Sequence, residues 1–176
     1  MKSNNDITKL ITAALLAALT CIATMFMQIP ITGGGYIHPG DAFVLLSGIL
    51  LGPIYGGLAG GIGSMLADLL SGYGVYEPAT LIIKFLAAMI AAQSFRHIRK
   101  NSVILAGIFS GIIVTSGYFV FECFLSGKWA GALAALPFNL LQNLAAIIIT
   151  LILLPLLKQV PQIRGLMEKP PVKLKY

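Results

Sequence analysis

Apolar residues run almost unbroken through most of this chain, and polar positions gather in short clusters between the runs. No charged residue falls within 10–40, 42–67, 101–121 or 129–157, and 85–95 extends a further apolar stretch. A helix that crosses a bilayer needs about 20 mainly apolar residues, so these runs predict transmembrane helices. The first covers 7–27 and is stopped by Gln28, Pro30 and the Gly33-Gly34-Gly35 turn. It is long and lacks a clear small-x-small site after it, so it reads as a retained span rather than a cleaved signal. The stretch from Pro39 to Ser71 could hold one long helix or two short ones broken at Gly52-Pro53. Proline inside a helix would remove a hydrogen bond and clash with the preceding turn. Two helices, giving six spans rather than five, put ten of the twelve basic residues on one side and are favoured. Two short helices result, at 39–51 and 54–70. The fourth starts at Pro78, a favoured first position, and covers 78–95. The fifth and sixth cover 103–124 and 133–157, with Trp129 in the loop between them and Pro155 helping to stop the last. Residues 161–176 read as a basic tail without a core of its own. The expected fold class is an all-α integral membrane protein, one membrane domain built as a six-transmembrane-helix bundle.

Composition supports lipid as the solvent. Of 176 residues 57% are apolar and only 10% charged, against roughly 45–50% and about 25% in soluble domains. Too few charges remain to clothe a globule in water, which excludes a soluble enzyme. Cys21 and Cys123 lie in apolar runs and suggest neither a disulfide nor a metal site. The net charge of +6 could suggest nucleic acid, but the basic residues sit at the ends of the apolar runs. Lys2, Lys9, Arg96, Arg99, Lys100, Lys158, Arg164, Lys169, Lys173 and Lys175 all fall on one side of a six-span chain. The positive-inside bias then places both termini in the cytoplasm and the protein in the cell membrane.

Small residues come next. Gly48, Gly52, Gly56 and Gly60 recur every four residues, and Gly57 and Gly61 repeat the spacing. Such a stripe serves close packing within the bundle or a surface for a partner. On the first helix Ala13 and Ala17 are four apart, as are Ala14 and Ala18.

Ionisable groups inside spans carry more information, since each costs roughly 2.5–3.5 kcal/mol in hydrocarbon even on the mildest scales. Asp41, Asp68, Lys84 and Glu122 all fall in the outer half of the membrane on this topology, Lys84 lying ~9 Å below the start of its helix. Asp41 can instead serve its helix start, and Asp68 can pair with Lys84. Asn139, Gln142 and Asn143 form a polar stripe at i, i+3, i+4 on the sixth helix. The loop 28–38 adds three glycines followed by Tyr36 and His38, able to cover a ligand. Together these groups predict a pocket open to the outside, formed by Tyr36, His38, Asp41, Lys84, Glu122, Asn139, Gln142 and Asn143. No phosphate loop, H-E-x-x-H or G-x-S-x-G occurs, so no metal set and no ATP hydrolysis is expected of this chain.

The segment Gly34-Gly35-Tyr36-Ile37-His38-Pro39-Gly40-Asp41 is followed by Leu50-Leu51-Gly52-Pro53-Ile54-Tyr55-Gly56-Gly57-Leu58-Ala59-Gly60-Gly61-Ile62-Gly63. With Ala67-Asp68-Leu69-Leu70-Ser71-Gly72-Tyr73 and Pro78-Ala79-Thr80-Leu81-Ile82-Ile83-Lys84, it resembles the substrate-binding S components of energy-coupling factor (ECF) transporters. The resemblance covers about 7–157, and the branch it suggests is the riboflavin-like, hydroxymethylpyrimidine or pyridoxine one. It implies six helices, an outer pocket capped by the first loop, no catalysis and no catalytic cofactor. It also implies that a small-residue motif on helix one, matched by Ala13/Ala17 or Ala14/Ala18, docks on a transmembrane coupling (T) protein carried by two cytoplasmic ATPases. The expected cargo is a small vitamin or precursor, hydroxymethylpyrimidine or pyridoxine. Competing readings are an intramembrane enzyme using Asp41, Asp68 or Glu122, and a small channel or scaffold built on the glycine surface.

Overall fold

The computed structural model describes residues 2–31, 35–97 and 102–167, with side chains from Asp6 onward. Gly33 and Gly34 of the first loop, Arg99 and Lys100, and the tail from 168 to 176 lie outside the described residues, as does the side chain of Lys2. Six principal helices occur: α1 (Lys2–Phe26), α2 (Asp41–Leu51), α3 (Pro53–Leu70), α4 (Glu77–His97), α5 (Val103–Ser126) and α6 (Trp129–Leu157), followed by the short α7 (Pro161–Met167). One small departure from an all-helical chain is an antiparallel pair, β1 (Ile29–Pro30) with β2 (Tyr36–Ile37), in register Ile29 to Ile37 and Pro30 to Tyr36.

The breaks follow local chemistry. Gly52 adopts φ +87° between α2 and α3, and Pro53 opens the next helix, where its missing N–H costs nothing. Ser102 caps α5 by accepting from the Leu105 N–H at 3.3 Å. Gly127, at φ +64°, ends that helix. The chain then turns straight into α6 at Trp129, four residues earlier than its apolar pattern predicts. Pro137 and Pro155 both lie within α6; Pro155 does not stop the helix, which runs two residues further.

The exterior is apolar and several ionisable groups are enclosed, unlike a soluble protein. Leu10, Ile22, Phe26, Leu70, Ile82, Ile112, Val120 and Leu140 are exposed, while Asp41, Asp68, Lys84, Glu122, Asn139 and Gln142 are buried. In water each exposed large side chain would forgo on the order of 1 kcal/mol or more of burial. Among the described residues four helices are long and apolar enough to cross a membrane: 6–26 of α1, α4, α5 and α6. The chain is thus a helical membrane protein, with the 11-residue α2 held inside, packed by α1, α3, α4 and α6. Leu45, Leu46, Ile49 and Leu50 of α2 are almost wholly enclosed.

The glycine stripe is internal packing. A side chain at Gly48 would strike the Ala88 backbone carbonyl of α4, one at Gly57 would lie 2.8 Å from the Phe85 ring, and one at Gly63 would lie 2.9 Å from Thr20 Cβ of α1. Their absence lets α2 lie close on α4, and α3 close on α4 and α1. The expectation that nothing after Pro161 joins a core is corrected in part: α7 folds back on α2 and buries Leu166. Apolar Ile163 and Met167 pack with it, and a seven-residue helix too short to show periodicity leaves no sequence signal. Gly48→Ala should lower the thermal unfolding midpoint in detergent, by a loss of about 1–3 kcal/mol from overpacking. Gly165→Ala, in open space, should leave it unchanged or higher.

Candidate functional site

At the end of the bundle where α2 begins and α3 ends, a narrow polar cleft opens between the helices. The walls come from the return between α1 and α2, from the ends of α3, α4 and α5, and from the middle of α6. Ile31, Gly35, Tyr36 and His38 come from that return; Asp68 ends α3; Tyr76 and Thr80 flank the start of α4. Tyr118 and Glu122 stand one turn apart on α5, and Asn139 and Gln142 three residues apart on α6.

Behind this cleft lies a hydrogen-bonded network. Lys84 Nζ donates to Asp41 Oδ1 at 2.5 Å, Gln142 Nε2 donates to Asp41 Oδ2 at 2.7 Å, and the His38 backbone N–H donates to Gln142 Oε1 at 2.9 Å. The Lys84 ammonium also sits 5.1 Å from the Tyr118 ring centroid, and Tyr118 shares a 2.9 Å hydrogen bond with Thr80. On the cleft side, the Tyr36 hydroxyl donates to Asp68 Oδ1 at 2.7 Å. Burial, and next that bond, push the Tyr36 phenol well above its ordinary range. Asp68 Oδ2 and Glu122 Oε2 are buried without a hydrogen-bond partner. An aromatic chain edges the mouth: Tyr36 lies 5.4 Å from His38 and 4.6 Å from Tyr73, Tyr73 6.2 Å from Tyr76, and Tyr76 5.3 Å from Phe121.

Of the residues chosen from sequence, Tyr36, His38, Glu122, Asn139 and Gln142 line the cleft. Asp41 and Lys84 do not; they pair behind it. The expected alternative of a Lys84–Asp68 pair is corrected, since Asp41 takes the ammonium and Asp68 takes Tyr36. Asp41 does lie in the first turn of α2, where a carboxylate favours the positive end of the helix dipole. Asn143 is a second correction. It packs against Gly111 and lines an apolar groove between α5 and α6. Successive helical residues turn by about 100°, so Asn143 points well away from Gln142 although both lie near Asn139 on the wheel. Asp68, Tyr76, Thr80 and Tyr118 complete the cleft beyond that set. Thr80 and Tyr118 stand one turn before Lys84 and Glu122, a spacing that could have found them.

The helix-one alanines also separate. Ala13 is buried in the core, and the Ala17 carbonyl meets Gly63, so Ala13 and Ala17 are spent on packing within the bundle. Ala14 and Ala18 face outward beside exposed Leu10, Leu15 and Ile22.

His38 accepts the Gly40 N–H on Nδ1 at 3.1 Å, and burial, reinforced by Lys84 and opposed by Asp41, lowers its pKa to about 4. The unfolded chain binds that proton near pH 6.5, so the neutral folded form is favoured above 6.5 and loses this contribution as pH falls toward 4. The unfolding midpoint should therefore drop between pH 6.5 and 4. His38→Asn, which keeps an acceptor for Gly40, should flatten that drop; an identical pH profile for the two proteins would contradict the assignment.

A family model for the S component of ECF-type riboflavin transporters matches residues 4–159. An uncharacterised protein of Pyrococcus woesei is 35% identical over 130 residues, covering 73% of this chain and 86% of that protein. The thiamine precursor transporter HmpT of Lactococcus lactis subsp. cremoris (strain MG1363) is 26% identical over 167 residues, covering 94% of this chain and 96% of HmpT. Two solved structures share the fold. An S component of a bacterial ECF transporter superposes with a TM-score of 0.67 at 20% identity, over 90% of this chain and 98% of that one. The S-component for biotin from an ECF-type ABC transporter gives 0.66 at 21%, over 90% and 95%. S components bind substrate for transporters that also contain a T component and ATPases; they are not enzymes. With an apolar helical bundle and a polar cleft at one end of it, the chain belongs to the family of ECF-type riboflavin transporter S components.

Proposed function

We propose that this S component captures a small, donor-bearing vitamin precursor, hydroxymethylpyrimidine in first place, in the cleft between Tyr36, Glu122, Asn139 and Gln142. The observation that carries the reading is Glu122 Oε2, a buried carboxylate oxygen with no partner in the protein. Asp68 Oδ2 repeats the feature on the opposite element. Such an orphan acceptor costs about 1–3 kcal/mol, which an amino or hydroxyl group on a ligand recovers. Hydroxymethylpyrimidine brings both groups, and its ring nitrogens suit the Asn139 amide. Tyr36 and Tyr76 offer faces for stacking. The 26% identity to HmpT supports this choice over pyridoxine, which the donor count alone also admits. The vitamin is cargo in this reading, and the chain needs no cofactor.

Helices α1 to α6 each cross the membrane with both termini in the cytoplasm. The short α2, ~16 Å long at 1.5 Å per residue, is shielded by its neighbours rather than matched to a hydrocarbon core about 30 Å thick. Lys158 lies 5.9 Å from the Phe95 ring, and Arg96 lies beside Gly52 at the end of α2. These contacts gather basic groups at the end opposite the cleft, as the positive-inside rule requires. Ala14 and Ala18 form the face that meets the T protein, which two ATPases drive.

Isothermal titration of the purified protein with hydroxymethylpyrimidine, pyridoxine and riboflavin tests the ligand. Glu122→Gln and Asn139→Ala should each weaken hydroxymethylpyrimidine binding tenfold or more, about 1.4 kcal/mol, while Asn143→Leu leaves it unchanged. Parent-like affinity in both pocket variants would move the site elsewhere. Impermeant maleimide applied to intact cells should modify Lys128→Cys and spare Arg99→Cys; labelling at Arg99 would overturn the six-span arrangement.

A further inference from the structure

Asp41 and Lys84 form a buried ion pair behind the cleft, and the chemistry of their contacts has a direction. An ammonium only donates hydrogen bonds, and a carboxylate paired with it only accepts. Gln142 has one end of each kind. Because Asp41 Oδ2 accepts from Gln142 Nε2 at 2.7 Å, the amide cannot turn over without setting its own oxygen against a carboxylate oxygen. Its Oε1 is thereby aimed at the return between α1 and α2, where it accepts the His38 N–H at 2.9 Å. Were the amide reversed, two N–H donors would face each other there. The orientation of a side chain on α6 is thus dictated by an ion pair between α2 and α4, 43 residues apart in sequence. The backbone it holds carries Tyr36 and His38, two walls of the cleft.

We infer that Asp41 and Lys84 serve substrate binding as positioning residues, acting through Gln142 to fix the Tyr36–Gly40 segment against α6, and make no contact with the ligand themselves. Gln142 is correspondingly a bracket more than a reader, since both ends of its amide are engaged within the protein. Selectivity then rests on Glu122, Asn139 and Asp68. Thr80 and Tyr118 close the network from below: Tyr118 presents its ring to Lys84 and its hydroxyl to Thr80, so the ammonium is enclosed without a second carboxylate. This inference builds on the proposed cleft, but its main test needs no ligand.

The test places Ile37→Cys in the full-length protein in lipid nanodiscs, with Cys21 and Cys123 replaced by Ala, and measures its rate of modification by a water-soluble maleimide. Gln142→Met removes both amide bonds. Asp41→Asn with Lys84→Met keeps the site neutral but lets residue 41 present either end of an amide, so Gln142 loses its instruction. Each should speed labelling of position 37 at least fivefold without ligand, and the triple combination should be no faster than Gln142→Met alone, because the effects share one route. Unchanged labelling in a folded Gln142→Met protein would overturn the inference, and that variant decides the matter if the neutralised pair fails to fold. Titration with hydroxymethylpyrimidine supplies the second readout. Adding Asp41→Asn and Lys84→Met to Gln142→Met should weaken binding no further; an additional tenfold loss would show direct contact and refute the positioning role. Failure of the parent to bind any candidate vitamin would count against the proposed ligand and leave the labelling result standing.

Discussion

The Lys84 ammonium, with no exposed surface in the bundle, is the constraint around which the rest of this protein is arranged. A charge in the interior of a membrane protein must be paired and hydrogen-bonded, because the effective penalty of desolvating each ion is several kcal/mol. Asp41 supplies the counter-charge, Tyr118 a ring face, and Gln142 occupies the second carboxylate oxygen. Four helices, α2, α4, α5 and α6, are tied to one another at that depth. The pair adds little net stability over an apolar core of the same shape. What it adds is a unique arrangement, since few alternative packings could satisfy the same donors and acceptors.

That arrangement depends in turn on how closely the helices can approach. Asp41 opens the 11-residue α2, a segment whose position is set by its neighbours. Gly48 lets α2 lie on the Ala88 backbone of α4, and Gly56 lets α3 lie on the backbone of Ser47 and Gly48. Lipid supplies no hydrophobic drive between helices, so this close van der Waals packing must hold them. The same logic consumes Ala13 and Ala17 on α1, leaving the parallel pair Ala14 and Ala18 on the outer face. One helix thus presents a small-residue face inward and another outward.

Two kinds of polar group therefore share the cleft end of the bundle. One kind is satisfied internally: Asp41, Lys84, Gln142, and the hydroxyls of Thr80 and Tyr118. The other retains unused acceptors, Glu122 Oε2 and Asp68 Oδ2. Burial alone does not distinguish them, for Lys84 and Glu122 are both enclosed. The distinction lies in the partners: Glu122 Oε2 and Asp68 Oδ2 keep acceptor capacity that the protein itself does not use.

Sequence alone was enough to establish the lipid environment, the six principal helices and the break at Gly52-Pro53. Those features are local or additive: hydropathy sums along a run, and proline and glycine act on their own turn. The tertiary structure decided that Lys84 belongs to Asp41 and Tyr36 to Asp68, that Asn143 turns to the α5/α6 groove, and that Ala13 and Ala17 pack inward. It also brought Tyr76, Thr80 and Tyr118 into the cleft and folded α7 onto α2. Helical periodicity assigns each side chain an angle about its own axis, but the rotation of that axis within the bundle is set by contacts between segments distant in the chain. An i, i+3, i+4 stripe spans about 100° of helix surface, enough for its two edges to face different neighbours.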